Sequence, residues 1–428
     1  MRKVFTLIYY LVSLVTAIIL VIISLLPLAK RKTIIFGTTP IINNKYWSLA
    51  LRELGFDTTT LMSTFYDSIN KKNDYDVYFD DVIPVIFKMK YFKELVKPFC
   101  VWFYIIRNAK IVVMPFHGLV FLKKYLWKIE LVLLKLNGIK TIVLAYGADA
   151  YIYSKVKDTS LQNALLISYP NGAKDEKEIS EKVFFWSKYA DFTASGFMSC
   201  DGIPRWDIAI HQYTQINTKE WVKKNKYSMN NGKNGIVKIL HAPNHKGFKG
   251  TEFIMQAVDE LKQEGLKLEL ILLEKVSNEK VKQVMQEVDI LVEQLIANAY
   301  ALTGIEGMAS GLPVMSNLEN DSYTNLYRRY SFLNECPIVS TSPETIKENL
   351  RLLIINPKLR KELGSAGREF VEKYHSFEMA QYFFGSIFKK FDGEDIDLMN
   401  LFHPIMGEYP KRKPFIKHPL VKNRITNI

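Results

Sequence analysis

Three places in the sequence combine residue types and positions able to do chemistry. The first is residues 298–317, N-A-Y-A-L-T-G-I-E-G-M-A-S-G-L-P-V-M-S-N. Its first half predicts one or two helical turns, ended by Gly311-Leu312-Pro313. Val314-Met315 then read as a short buried strand, and Ser316-Asn317 leave its carboxyl end. Open α/β sheets bind ligands at such strand ends, and Glu306 offers a carboxylate to ligand hydroxyls there. A solvent-facing helix acid is the plain alternative.

The second place is the loop 241–250, H-A-P-N-H-K-G-F-K-G, which opens onto a helix capped by Thr251. A helix amino terminus with Lys246 and Lys249 beside it suits an anion such as phosphate. His241 and His245 have no helical frame and no carboxylate nearby in sequence, so no metal site is expected. The third place is a pair of loops, His117-Gly118 after a strand at 110–115 and Gly147-Ala148-Asp149 after a strand at 140–145. A histidine beyond a strand end can hydrogen-bond or exchange protons near neutral pH. Residues of both loops can converge on one cleft.

These residues need elements to position them, and the chain supplies a strand–loop–helix–strand rhythm. Strands are predicted at 33–36, 58–62, 76–79, 110–115, 140–145, 192–194 and 208–210, with helices at 43–54, 121–136 and 175–190. A polar, basic linker follows at 217–235. The rhythm restarts with strands at 236–240, 268–273, 289–292, 314–315 and 335–339 and helices between and after them. The fold class is therefore α/β, with two Rossmann-like domains at 33–216 and 236–375. A closing helix at 376–390 and a basic tail at 391–428 complete the chain, the tail expected to be extended and able to lie on acidic headgroups. The first loop, 37–40, has one glycine where a dinucleotide fingerprint needs three.

Residues 1–32 differ from everything after them. Residues 4–29 carry no charge and exceed the ~20 residues that span a bilayer as a helix. Arg2-Lys3 precede them and Lys30-Arg31-Lys32 follow, which leaves the orientation open. A membrane helix is the expectation, with a monotopic or re-entrant arrangement left open; a signal peptide is the runner-up, but no small-residue cleavage site closes the segment. The net charge of +13 attracts polyanions: nucleic acid, an anionic membrane surface, or the phosphates of sugar nucleotides and lipids. The stretch 84–107 interleaves aromatic and basic residues, readable as a membrane-proximal surface, as helix packing or as an RNA surface. No recognition helix or RNA motif accompanies it, so nucleic acid is not an expected partner. Cys100, Cys200 and Cys336 are too scattered for a disulfide framework or a metal site, which points to a reducing compartment and a cytoplasmic body.

Taken together, these residues give the chain a resemblance to the retaining glycosyltransferases of family 4, whose two facing Rossmann-like domains form the GT-B architecture. The resemblance covers roughly residues 33–390. In that family a basic loop of the second domain clamps the donor diphosphate; Lys249-Gly250 match it, with Lys246 as a second cation. The family carries two glutamates eight positions apart, the second just before an A-x-G-x-P-V sequence. Glu306 with Ala309, Gly311, Pro313 and Val314 match the second, and Asn298 stands in the first place. Gly364, Gly367 and Arg368 also look like the family's carboxyl end.

The resemblance implies transfer of a sugar, with retained configuration, from a UDP- or GDP-linked donor, without a metal or further cofactor. It implies His117, Lys249 and Glu306 as catalytic, and His241, Lys246, Lys249, Gly250, Asn298, Tyr300, Glu306, Ser316 and Asn317 around the donor. Asp149 is the acceptor-side candidate. With a membrane segment, the acceptor is expected to be lipid-linked or a glycan, in synthesis of a surface polysaccharide or glycolipid. Asn298 keeps a second reading open, a membrane-attached sugar-nucleotide-binding or scaffold protein of the same fold that has lost transfer.

Overall fold

The computed structural model describes residues 2–26, 31–66, 70–87, 90–121, 124–196 and 201–423. Lys30 and Cys200, singled out above, lie outside them. In the first domain, β1 (Thr33–Thr38), β2 (Thr58–Met62), β3 (Val77–Tyr78), β4 (Ala109–Met114), β5 (Lys140–Val143), β6 (Phe192–Ser195) and β7 (Ile208–Ala209) form one sheet. Its order is β3-β2-β1-β4-β5-β6-β7 and every pairing is parallel. Runs such as Ile34-Ile35-Phe36 and Ile111-Val112-Val113 are apolar on consecutive residues because helices cover both faces of the sheet. In the second domain, β8 (Val237–His241), β9 (Leu268–Leu272), β10 (Ile290–Gln294), β11 (Val314–Ser316) and β12 (Val339–Ser340) form a second parallel sheet, ordered β12-β11-β10-β8-β9.

Each sheet reverses its winding once, between β1 and β4 in the first and between β8 and β10 in the second. A crevice opens at the carboxyl ends of the strands flanking such a switch. The loops after β1 and β4 carry Thr39 and His117; those after β8 and β10 carry residues 242–250 and 295–301. The loops with His117 and with Lys246 and Lys249 are thus switch-point loops, whereas Asp149 follows β5 and Asn317 follows β11, one strand further out.

In the first domain the helices used below are α1 (Arg2–Ser24), α2 (Ile42–Glu53), α3 (Lys90–Asn108), α4 (Ile129–Leu136) and α5 (Thr159–Ser168). The sequence pattern does not predict α5; Asp158 caps it by accepting from Leu161 N, and Leu161, Ala164 and Leu165 are its buried side. The helix Phe377–Phe391 lies across the first domain against α2. Phe384 meets Phe36 and Trp47 edge-on, each at 5.6 Å, and Gln381 Nε2 donates to Ala50 O at 2.9 Å.

Four expectations are corrected. Among the described residues no helix is long and apolar enough to cross a membrane. Residues 2–24 are helical, but α1 packs alongside α3 and α4, and the Asn137 amide at the end of α4 donates to Ser24 Oγ at 2.6 Å. A helix with one side occupied by protein does not traverse lipid as a free span. The described part of the basic tail is not extended: Tyr409 donates to Lys373 O at 2.7 Å, Ile416 N donates to Glu335 at 2.9 Å, and His418 contacts Ile338 O at 3.1 Å. The strand expected at 335–339 shrinks to Val339–Ser340, since Pro337 cannot donate to a ladder and Leu333–Glu335 forms a 3-10 turn. Thr251 is the first helical residue rather than the cap; the capping position is Gly250, with φ 72°.

In the stretch 84–107 the carboxyl-terminal half packs as helix, while Val85, Ile86 and Phe92 stay exposed and residues 88–89 lie outside the described residues. Val101, Trp102, Ile105 and Ile106 of α3 are in the core, and Lys93 and Lys97 pair with Asp80.

Candidate active site

The first-domain wall is built at the β1/β4 switch. His117 Nε2 lies 3.2 Å from Thr39 Oγ1, so the loops after both strands meet at the imidazole. Burial, with the charge of Lys182 second, lowers the His117 pKa to about 4, so the ring is neutral at pH 7. Two carboxylates, the half-buried Asp149 and the fully buried Glu130, fix the surrounding backbone. Asp149 accepts from Phe116 N and Tyr146 N, both at 2.8 Å, and so joins the two loops that the sequence placed side by side. Burial raises its pKa to about 7 against those hydrogen bonds. Glu130 accepts from Leu119, Val120 and Phe121 N at 2.7–2.8 Å and holds the turn beyond His117. Its role was hidden in sequence, where it is one acid in an apolar helix.

The second-domain wall is built at the β8/β10 switch. His241 is fully buried, with Nδ1 2.8 Å from Val292 O and Nε2 2.9 Å from Thr251 Oγ1. It ties β8 to β10 and to the helix Thr251–Gln263, and burial lowers its pKa to about 4. Gly250 carries the left-handed turn, and a Cβ there would press on Leu295 Cβ at 3.1 Å. Lys249 points inward. Its ammonium donates to Gln294 Oε1 at 2.7 Å and pairs with Glu293 at 3.2 Å, both partners being buried. Lys246 is exposed and pairs with Glu274 at 2.7 Å.

Glu293 also accepts from Ala301 N, the capping residue of the helix Leu302–Ala309, at 2.9 and 3.1 Å. The loop 295–301 before that helix is bound from within. Gln294 Nε2 donates to the Ala297 and Ala299 carbonyls, Ser316 Oγ to Ala299 O at 2.6 Å, and Asn317 Nδ2 to Leu295 O at 2.6 Å. Tyr300 is buried and its hydroxyl meets His375 Nε2 at 2.9 Å. Ser316, Asn317, Tyr300 and His241 therefore use their polar atoms to shape the loop and the strand ends.

Glu306, on the helix Leu302–Ala309, is buried and receives Asn278 Nδ2 at 3.4 Å. Burial raises its pKa to about 8; the Asn278 hydrogen bond and Lys282 oppose the shift, and Glu293 adds to it. Asn278 opens onto a cavity of ≈ 250 Å³ lined from both domains, with Lys45, Tyr46 and Lys71 on one side and Asn278, Glu279 and Lys282 on the other. A second cavity of ≈ 210 Å³ lies among Trp47, Tyr146, Tyr151, Gln212 and Ala299. His117, Lys246 and Lys249 line neither.

Asn298 is held by the facing domain. Its Nδ2 donates to Asp158 Oδ2 at 2.5 Å, Asn320 Nδ2 donates to the same oxygen at 2.9 Å, and Asn298 Oδ1 accepts from Asn320 N at 3.1 Å. Tyr323 adds a second tie, its hydroxyl donating to Asp201 Oδ2 at 2.5 Å. Asp158, Asn278, Glu293 and Asn320 escaped the sequence reading, because each acts through a partner distant in sequence. Among the described residues no group of three or more His, Cys, Asp or Glu side chains is placed to hold a metal ion.

No protein-family model matches the chain, and no curated protein matches it in sequence. Solved structures do. Sucrose-phosphate synthase from Thermosynechococcus elongatus superposes with a TM-score of 0.54 at 12% identity, over 85% of this chain and 99% of that one. WaaG, a glycosyltransferase involved in lipopolysaccharide biosynthesis, gives 0.49 at 13% identity, over 85% and 100%. A candidate UDP-N-acetylglucosamine 2-epimerase from Listeria monocytogenes gives 0.49 at 11% identity, over 87% and 99%. With its two parallel sheets, facing switch points and returning helix, the chain has the GT-B fold.

Proposed function

We propose that this protein is a retaining glycosyltransferase that moves a sugar from a nucleotide-sugar donor to a lipid-linked or glycan acceptor in surface-glycan synthesis. The observation that carries the reading is the buried Glu306 joined to Asn278, whose side of the pair lines a cavity shared by both domains. A buried acid and an amide are suited to the hydroxyls of a ribose, and the cavity beyond them to a nucleoside. The diphosphate would then reach the amino end of the helix Leu302–Ala309, whose partial positive charge stabilises a departing diphosphate. Lys249 supports that end through Glu293, and Lys246 can exchange Glu274 for a phosphate oxygen. His117, being neutral, serves as a hydrogen-bond partner of the donor sugar rather than as a proton donor. Attack from the face of the departing phosphate retains configuration and needs no protein nucleophile. The resemblance in sequence supports a body on the cytoplasmic side of a membrane and charge compensation without a metal.

The test is a panel of nucleotide sugars screened by thermal shift, followed by transfer assays on membrane lipid extract. One donor is expected to stabilise the protein and to be consumed, with Glu306→Ala and Lys249→Ala losing product. No stabilisation by any nucleotide, or full activity in both variants, would overturn the reading. A second reading, a sugar-nucleotide-binding protein without transfer, is favoured by Asn298 in its motif position. It predicts donor binding without donor consumption.

A further inference from the structure

Helix α1 is built inside out. The residues it turns toward the first domain are Leu20, which enters the core, and four small or polar ones, Ser13, Thr16, Ala17 and Ser24, all only 0–8% exposed. The residues it turns away are Leu11, Leu14, Val15, Ile18, Ile19 and Ile22, all 42–58% exposed. A surface helix in water shows the reverse arrangement, with its aliphatic stripe against the core. Leu25 and Leu26 continue the stripe past the helix end, and Val132 and Leu136 of the adjoining α4 are exposed as well. Contiguous apolar surface of this kind marks an interaction site.

We infer that the outer face of α1 lies in the plane of a membrane, embedded among acyl chains while the inner face stays on the first domain. Two observations select lipid over a second protein. Among the described residues every exposed side chain of the stripe is aliphatic, so within residues 10–26 no exposed polar group sets the register of a protein partner, whose interfaces carry hydrogen bonds and a polar rim. The carboxyl end of the stripe is basic. Arg31 donates to the Ile106 and Asn137 carbonyls at the ends of α3 and α4, and Lys32, Arg107 and Lys135 are exposed close by in the chain. Aliphatic face and cationic border together match an anionic bilayer surface. The small inner face lets α1 approach α3 and α4 closely, so the helix is held flat rather than free to stand upright. The inference refines the membrane part of the proposed function and does not depend on catalysis.

The experiment uses the full chain on vesicles of phosphatidylcholine with phosphatidylglycerol, the lipids brominated at graded acyl depths. Leu11→Trp, Ile18→Trp and Leu25→Trp place probes along one stripe, about 21 Å from first to last at the helical rise per residue. Their added quenching over wild type is expected at one shared, shallow depth. Depths that step from one probe to the next would mean a spanning helix and overturn the inference. Unquenched probes in a protein that dimerises with concentration would assign the face to a second copy. Ile18→Asp with Ile22→Asp is expected to abolish vesicle binding with an unchanged melting transition, because both side chains point outward. Lys32→Ala and Arg107→Ala should each weaken binding to anionic vesicles about fivefold and leave neutral vesicles unaffected. Retained binding in the aspartate pair would also sink the inference, whatever the transfer assays show.

Discussion

Glu306 in the second domain and His117 in the first are both neutral at pH 7, one an acid holding its proton and one a base without one. Their neutrality has measurable consequences. For Glu306, folding raises the pKa from 4.5 to about 8, so the folded protein keeps a proton that the unfolded chain gives up. Stability contributed by that proton is present below pH 4.5 and is lost as pH rises toward 8. Glu306→Gln should therefore flatten the decline of Tm across that window, and equal slopes in variant and wild type would show that Glu306 is not the titrating group. His117→Ala should lower kcat/KM about 10- to 100-fold, the worth of a hydrogen bond made in a dry site. The wild-type rate should show no limb between pH 5 and 7 that the variant abolishes. Glu306 was legible in the sequence because glycine and proline punctuate its helix. Asn278 was not, because only folding brings it to Glu306.

At the scale of elements, the helix Leu302–Ala309 and the loop before it depend on contacts that carry no local signal. Lys249 reads in sequence as a cation free for phosphate, yet the fold assigns it to Glu293 and Gln294. Removing one partner of such a buried pair costs about 3–5 kcal/mol. Lys249→Met should destabilise by that amount in chemical denaturation, and adding Glu293→Gln should recover a large part. An unchanged midpoint in Lys249→Met would return the lysine to the solvent-facing cleft. A second element-level test concerns Gly364. A Cβ at that position of the helix Pro357–Tyr374 would run into the Gly311 carbonyl oxygen, backbone against backbone. Gly364→Ala should cost about 2 kcal/mol through forced separation of the two segments. The strands were largely readable from their apolar runs, whereas α5 was missed because the exposed Leu166 and Ile167 blur its helical period and its capping signal is the single Asp158.

At the scale of the whole molecule, the two domains are joined at separate places by different means. Lys71 and Glu279 meet at 2.5 Å but are largely exposed, a pair worth little in stability. Asp158 with Asn298 and Asn320, and Tyr323 with Asp201, are more enclosed and engage the head of the motif that contains Glu306. Asp158→Ala should loosen that end: donor KM is expected to rise about tenfold, as for loss of a charged hydrogen bond, with Tm nearly constant. Small-angle scattering should show a larger radius of gyration; an unchanged radius and KM would remove Asp158 from domain closure. The two-domain plan was visible in the repeated rhythm of the chain. The ties between domains were not, since each spans well over a hundred residues of sequence.

The helix Phe377–Phe391 closes the first domain with aromatic rings contributed from near the other end of the chain. On the ribosome, Phe36 and Trp47 emerge long before Phe384 exists. At about 5–20 residues per second, the amino-terminal domain waits on the order of tens of seconds with that groove unfilled. A nascent chain arrested after the second sheet would expose it permanently, and in normal synthesis the first domain is a client for chaperones until Phe384 emerges. Emergence of the helix Phe377–Phe391, rather than completion of the amino-terminal domain's own sequence, is then the event that releases this domain from surveillance.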